Sequence, residues 1–342
     1  MSLVLGTLLH QIKNGSISID GGRIVFLNAV FHADLSTLCA DELILQQHFK
    51  PYENTLVKAG FSVCSDIPCD DGSYDVVCIL TPKNMVEACY FIAKGMRLLR
   101  CGGVLICAAD NKAGGSRLKK MMHGFGVQDL QDDARNKARA VWGIVDDAQI
   151  DEIETALSAG AEQDILDGKF ISQAGVFGWD RADKGSEILT QHLPQNLKGR
   201  GADFGCGYGY LSEFLLSNRV KIKHLTCVDA DYRALRLCQK NLKGFQCDKN
   251  FMWHDLTQQD GALKNLDFIV MNPPFHEGKK TDLSLGQGFI ETAFHSLRRG
   301  GRLWMVANNH LAYENGLNKV FGEFSKEYEG QGFKILSARK QR

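Results

Sequence analysis

Residues 271–278 read MNPPFHEG and follow an apolar run at 266–270 that is entered through a single acid, Asp267. An exocyclic amine on a base is a poor nucleophile, because its lone pair is delocalised into the ring. Two hydrogen-bond acceptors that grip both N–H groups turn that lone pair toward an electrophile. Asn272 offers a side-chain carbonyl and Pro273 a backbone carbonyl. Neither proline carries an N–H, and Pro274 restricts Pro273 to an extended backbone, so the turn is a rigid pair of acceptors with no competing donors. Phe275 supplies a face on which a base can stack, worth roughly 1–3 kcal/mol in nucleic-acid sites. Orientation alone can then remove several kcal/mol of barrier, and no strong base is needed, since the amine loses its proton after attack. His276 and Glu277 read as polar residues of a flexible lid in preference to aids to that proton loss.

A second group of residues could hold the electrophile. GADFGCGYGYLSEFLLSN (201–218) reads as strand, glycine turn and helix, with Gly205, Gly207 and Gly209 allowing close backbone approach at a helix start. A dinucleotide fingerprint needs G-x-G-x-x-G, and Tyr210 and Ser212 occupy the positions where its last glycine could fall. Asp203, two residues before the turn, would repel a pyrophosphate and attract an ammonium or sulfonium group. S-adenosylmethionine carries both cations. The next strand ends in LTCVDA, where Asp229 can accept from ribose hydroxyls; FMWHDL follows, and Asp255 at its end can meet an adenine edge. Each of these two acids is read as a ligand contact in preference to the alternative, the cap of a following helix.

Strands and helices that alternate through short turns must position these residues, which predicts βαβ units and a parallel sheet. The halves of the chain share the pattern: DVVCILTPKN (75–84) answers DFIVMNPPF (267–275), and MRLLRCGGVLICAADN (96–111) answers HSLRRGGRLWMVANN (295–309). The expected fold class is α/β, two tandem Rossmann-like domains, each a doubly wound, mostly parallel sheet: a degenerate first domain (1–165) and a second domain that carries the chemistry (166–342). The first half lacks the chemistry. Leu80, Thr81, Pro82 and Lys83 stand opposite Asn272, Pro273, Pro274 and Phe275, and GRIVFLNAVFHADL is a strand without a glycine cradle.

At 342 residues, with 44% hydrophobic and 23% charged side chains, the chain has the make-up of a globular protein large enough for two cores. No apolar run approaches a membrane span, and the start, MSLVLGTLLHQIKNG, lacks the parts of a secretory signal, so a cytoplasmic location is expected. The eleven cysteines include no CxxC pair, which points to reduced thiols and to no metal site. Residues 1–170 carry 16 Lys and Arg against 22 Asp and Glu, and the remainder 24 against 18. A basic second half suits an anionic partner, and Lys279, Lys280, Arg298, Arg299 and Arg302 are candidate phosphate contacts.

AGVFGWDRADKGSEIL (174–189), ADFGCGYGYLS (202–212), MNPPFHEG (271–278) and GGRLWMVANNHLAY (300–313) together resemble the class I S-adenosylmethionine-dependent methyltransferases of the NPPF or NPPY type. More closely, they resemble the bacterial guanine-N2 methyltransferases of small-subunit ribosomal RNA, a likeness that continues through TPKN and CGGVLICAADNKAGG in the first half. That resemblance implies S-adenosylmethionine as cofactor. Asp203, Gly205, Cys206, Gly207 and Gly209 would lie at its methionine end, Asp229 and Ala230 at its ribose and Asp255 and Leu256 at its adenine. Asn272, with Pro273, Pro274 and Phe275, would meet the target base, while Phe177, Asp183 and Gly185 would belong to the segment that closes over the cofactor. It implies ribosomal RNA as partner; the balanced total charge favours an assembled small subunit over bare RNA, and a monomer is the favoured state. The sister enzyme of the large subunit, an adenine-N6 or glutamine-N5 methyltransferase, and a catalytically silent assembly factor remain alternatives.

Overall fold

The structure is a computed structural model that describes residues 2–17, 21–146, 149–259, 261–274, 276–277, 280–281 and 283–341. The chain divides into two compact units, one formed by residues up to 162 with 173–175, the other by 163–172 and the residues from 176 onward.

In the first unit the strands are β1 (Arg23–Leu27), β2 (Glu42–Gln46), β3 (Val63–Cys64), β4 (Tyr74–Leu80), β5 (Leu99–Asp110), β6 (Gln131–Arg135) and β7 (Ala138–Val145). They form one sheet in the order β3-β2-β1-β4-β5-β7-β6. β1 to β5 run parallel, and β7 pairs antiparallel with both β5 and β6. Helices α1 (Ser2–Lys13), α2 (Lys50–Lys58), α3 (Met85–Leu98), α4 (Leu118–Gly124) and α5 (Ile150–Gly160) accompany it. One apolar cluster gathers Val25, Val77, Phe91, Leu105 and Ile153, another Leu5, Leu8, Phe26, Cys78 and Ile106. Alternate residues of one strand thus feed different cores, which is why these strands read as unbroken apolar runs.

The second unit repeats the plan. β8 (Glu162–Ile165) and β9 (Phe170–Gln173) pair with each other, and α6 (Lys184–His192) leads to β10 (Gly199–Phe204), α7 (Tyr210–Asn218), β11 (Ile222–Asp229), α8 (Tyr232–Asn241), β12 (Asp248–Trp253) and β13 (Leu266–Met271). The short β14 (His276–Glu277) and β15 (Lys280–Thr281) pair antiparallel, followed by α9 (Leu283–Ser296), β16 (Leu297–Asn308), α10 (Tyr313–Phe321), β17 (Phe324–Gly330) and β18 (Phe333–Arg339). The sheet order, β12-β11-β10-β13-β16-β18-β17, matches the first strand for strand.

The repeated acid seen in the sequence has one structural role in both units. Asp75 accepts from the Arg23 amide at 2.7 Å and from Arg100 Nε at 2.6 Å; Asp267 accepts from the Arg200 amide at 2.7 Å and from Arg298 Nε at 2.6 Å. The residue before each amide is glycine because a β carbon at Gly199 would lie 2.1 Å from Asp267 Oδ2, and one at Gly22 2.7 Å from Asp75 Oδ2. Each acid therefore ties the start of the central strand to the turn that opens β5 or β16. Arg298 is consequently held by a carboxylate, whereas Arg302 lies over the Trp304 ring. All eleven cysteines are free thiols, and among the described residues no helix is long and apolar enough to cross a membrane.

Candidate active site

β10 and β13 are neighbours in register, Phe204 opposite Met271, so the glycine loop and the NPP turn leave the sheet side by side at its carboxyl edge. A β carbon at Gly205 would stand 4.0 Å from the Asn272 carbonyl oxygen and 3.7 Å from the Phe289 ring. β11 and β12 reach the same edge with Asp229 opposite Trp253. A crevice there, where chain direction switches from β10 toward β11 on one side and β13 on the other, is the usual ligand position in open α/β sheets.

Gly205, Gly207 and Gly209 hold φ of +73°, +54° and +99°, the left-handed region where a side chain is strained. Gly209 also approaches α8 so closely that a β carbon would lie 3.0 Å from Cys238 Sγ. The loop is braced from below: Asn241 Nδ2 donates to the Tyr208 carbonyl at 2.8 Å, and the Tyr208 ring meets Phe170 edge-on at 5.4 Å. Cys206 is buried, and burial pushes its thiol well above the usual range, which makes it packing rather than a nucleophile.

Asp203 is fully buried. Ser212 Oγ donates to its Oδ2 at 2.7 Å, while Oδ1 has no hydrogen-bond partner among the described residues. Burial pushes its pKa up to about 7. An orphaned buried carboxylate oxygen is costly unless a donor or cation satisfies it. Asp229 accepts the Gly207 amide through Oδ2 and the Asp231 amide through Oδ1, both at 2.8 Å, and burial raises it to about 6. Each of its oxygens keeps a lone pair for a further donor. Ala230 is fixed through its carbonyl, which accepts from Trp253 Nε1 at 2.8 Å.

Asp255 lies two residues past the end of β12 and is buried. Its Oδ1 accepts from the Thr257 amide at 3.0 Å and the Thr257 hydroxyl at 2.6 Å, its Oδ2 from Gln258 Nε2 at 3.1 Å. It shapes a turn, with one lone pair of Oδ2 left over. Leu256 is buried, and its carbonyl accepts from Thr292 Oγ1 at 2.7 Å.

Asn272 is half-buried, Pro273 buried and Pro274 exposed. The Asn272 amide nitrogen donates to Asp183 Oδ2 at 2.7 Å and to Ser186 Oγ at 3.0 Å, so its carbonyl is the group left for a substrate. Asp183 is the N-cap of α6 and lies against this asparagine; Gly185 is buried beside Phe333, and Phe177 is exposed. Phe275 and Lys279 fall outside the described residues, and of His276, Glu277 and Lys280 only the backbone is described. Sequence reading missed Ser186, Ser212 and Asn241. Ser186 had a signal, the D-x-x-S spacing of a cap, but its contact with Asn272 crosses 86 residues.

The corresponding place in the first unit is built differently. Leu27 opposite Ile79 matches Phe204 opposite Met271. This alignment sets Asn28 against Gly205, Phe26 against Asp203, Gln47 against Asp229 and Leu80 against Asn272. Asn28 keeps the left-handed backbone, φ +58°, but its Nδ2 reaches across to the Leu80 carbonyl at 3.1 Å. Gln47 accepts the Phe49 amide as Asp229 accepts that of Asp231, and turns its Nε2 onto the Ala29 carbonyl at 2.7 Å.

A parallel sheet with an antiparallel seventh strand, a glycine cradle with buried acids and an NPP acceptor turn together define a class I S-adenosylmethionine-dependent methyltransferase. Residues 167–337 match the family model described as Methyltransferase small domain. Ribosomal RNA small subunit methyltransferase C of Acinetobacter baylyi is 32% identical over 270 residues, 78% of this chain and 79% of that protein. Its namesake from Aliivibrio salmonicida is 29% identical over 96% of this chain and 98% of its own. The solved T. thermophilus 16S rRNA N2 methyltransferase, in complex with AdoMet and guanosine, covers 97% of this chain and 91% of its own at 23% identity, with a TM-score of 0.81. The chain belongs to the ribosomal RNA small subunit methyltransferase C family.

Proposed function

We propose that the second unit transfers a methyl group from S-adenosylmethionine to the exocyclic N2 of a guanine in small-subunit ribosomal RNA. The observation that carries this reading is the Asn272 amide: with its nitrogen given to Asp183 and Ser186, only its carbonyl faces a substrate, one step from a cradle suited to a cationic nucleoside. When bound, the cofactor supplies an electrophilic methyl. The orphaned Asp203 oxygen and the glycine cradle suit its charged methionine end, Asp229 and Ala230 its ribose, and the spare lone pair of Asp255 with Leu256 its adenine. Exposed Phe177 covers it and Phe275 stacks the base, roles carried over from the sequence pattern.

Asn272 Oδ1 and the Pro273 carbonyl accept the two N–H groups of the guanine amine. This holds the nitrogen lone pair toward the methyl group, and the proton leaves to water after transfer. Guanine N2 lies in the minor groove of a duplex, so the target is unpaired or flipped out. Balanced overall charge, 40 basic against 40 acidic residues, supports an assembled subunit in the cytoplasm, recognised by shape as well as charge, over bare RNA. The first unit, with Asn28 and Gln47 bonded into its crevice, serves folding or RNA contact and holds no cofactor.

Nucleoside mass spectrometry of ribosomal RNA from separated subunits of cells lacking the gene tests the reading. One equivalent of N2-methylguanosine should vanish from the small subunit and return on complementation. A small subunit with its full complement would overturn the substrate assignment.

A further inference from the structure

We infer that Asp183 is a positioning residue that fixes which way the Asn272 amide points, and so determines whether the acceptor pair exists; the inference rests on the acceptor role proposed for Asn272. A primary amide has two orientations of similar shape and opposite hydrogen-bonding sense, and only one presents Oδ1 to a substrate amine. A carboxylate accepts and cannot donate. With Asp183 Oδ2 at 2.7 Å and Ser186 Oγ at 3.0 Å, both N–H bonds of Asn272 are directed away from the substrate. The flipped orientation would set two acceptor oxygens at that same 2.7 Å, and the half-buried setting strengthens the repulsion.

The lock is itself held. Asp183 Oδ2 also accepts the Ser186 amide at 2.9 Å as the N-cap of α6, so the carboxylate is anchored to a helix end rather than to a loop. Its negative charge has a second effect, because an amide that donates to a carboxylate carries more electron density on its own oxygen and becomes a stronger acceptor. Helix capping alone would be served as well by asparagine or serine. Orientation is not, because asparagine can present either a donor or an acceptor, and serine is too short to reach.

Asp183→Asn and Asp183→Ser test this, each assayed for turnover on small subunits, cofactor affinity by calorimetry and melting temperature, beside Asn272→Ala. Melting temperature and cofactor Kd should stay near those of the wild type while kcat falls by roughly tenfold to a hundredfold, the scale of a misaligned reacting group. Wild-type kcat in both Asp183 variants, with Asn272→Ala inactive, would overturn the positioning role and leave the acceptor pair standing. A weakened cofactor Kd with unchanged kcat would instead make Asp183 a cofactor ligand. Wild-type turnover in Asn272→Ala would sink the acceptor pair itself. Should the asparagine variant fail to fold, the serine variant decides by the same criteria.

Discussion

In Asp203 burial and ionisation oppose each other in one side chain. Burial raises it to about 7 and Asp229 to about 6, whereas an unfolded aspartate titrates near about 3.9. Between those values the folded chain holds more protons than the unfolded one. The stability these two groups contribute is therefore complete below about pH 4 and is lost as pH rises through 6 and 7. Asp203→Asn should remove the larger part of that dependence: the ligand-free variant gains melting temperature over the wild type at pH 8 and keeps only a minor part of that gain at pH 5. Cofactor affinity should move the opposite way, weaker in the variant and, in the wild type, weaker at pH 6 than at pH 8, because a cation prefers the ionised acid. Thermal melts and calorimetry at the two pH values check both signs; a variant no more stable at pH 8 would mean that the ionised acid costs the fold nothing. That Asp203, Asp229 and Asn272 lie together at the carboxyl edge of neighbouring strands was legible in the sequence, because the strand-turn pattern places each of them there. The partner of Asn272 was not, since Asp183 lies 89 residues away and only the fold brings the two together.

The duplicated clamp is the clearest device among the elements. Asp267 joins the start of β10 to the turn opening β16, with its carboxyl below the usual carboxylate range: burial opposes ionisation, and the Arg200 amide and Arg298 guanidinium outweigh it. Asp267→Ala would hand that exposed amide to water and lose the hydrogen bond, at a cost of about 0.5–1.5 kcal/mol, or a melting temperature lower by a few degrees. Hydrogen exchange should place the loosening at 199–204 and 297–302 and spare the first unit, and Asp75→Ala should give the mirror result. Equal protection in mutant and wild type would reduce the pair to surface decoration. Both clamps could be found in the sequence because Asp, the GG turn and the apolar strands recur at matching spacing. The hairpins β6–β7 and β17–β18 could not. Each inserts its second strand antiparallel beside β5 or β16, and nothing local in ARAVWGIV or FKILSAR says which neighbour it will join.

At the scale of the whole molecule, two sheets of one topology differ in what closes the crevice. In the second unit a glycine leaves space, an acid lies buried with an oxygen unsatisfied, and an asparagine presents its carbonyl. In the first, Asn28 spans the gap to Leu80, Gln47 binds the loop, and Phe26, fully buried, stands where Asp203 would be. A buried phenylalanine offers no attraction to a sulfonium or ammonium group, and the Asn28 side chain would have to surrender its bond before a ligand could enter. Titration of the full chain with S-adenosylmethionine should therefore give one site per chain. Asp229→Ala should weaken that single event, with no residual tight binding behind it. Asn28→Gly with Gln47→Asp should leave the stoichiometry at one, because the cation still lacks its acid. Two sites in the wild type, or a second site unmasked in the double variant, would mean that duplication preserved a ligand position, and the first unit would have to be treated as a binding domain in its own right.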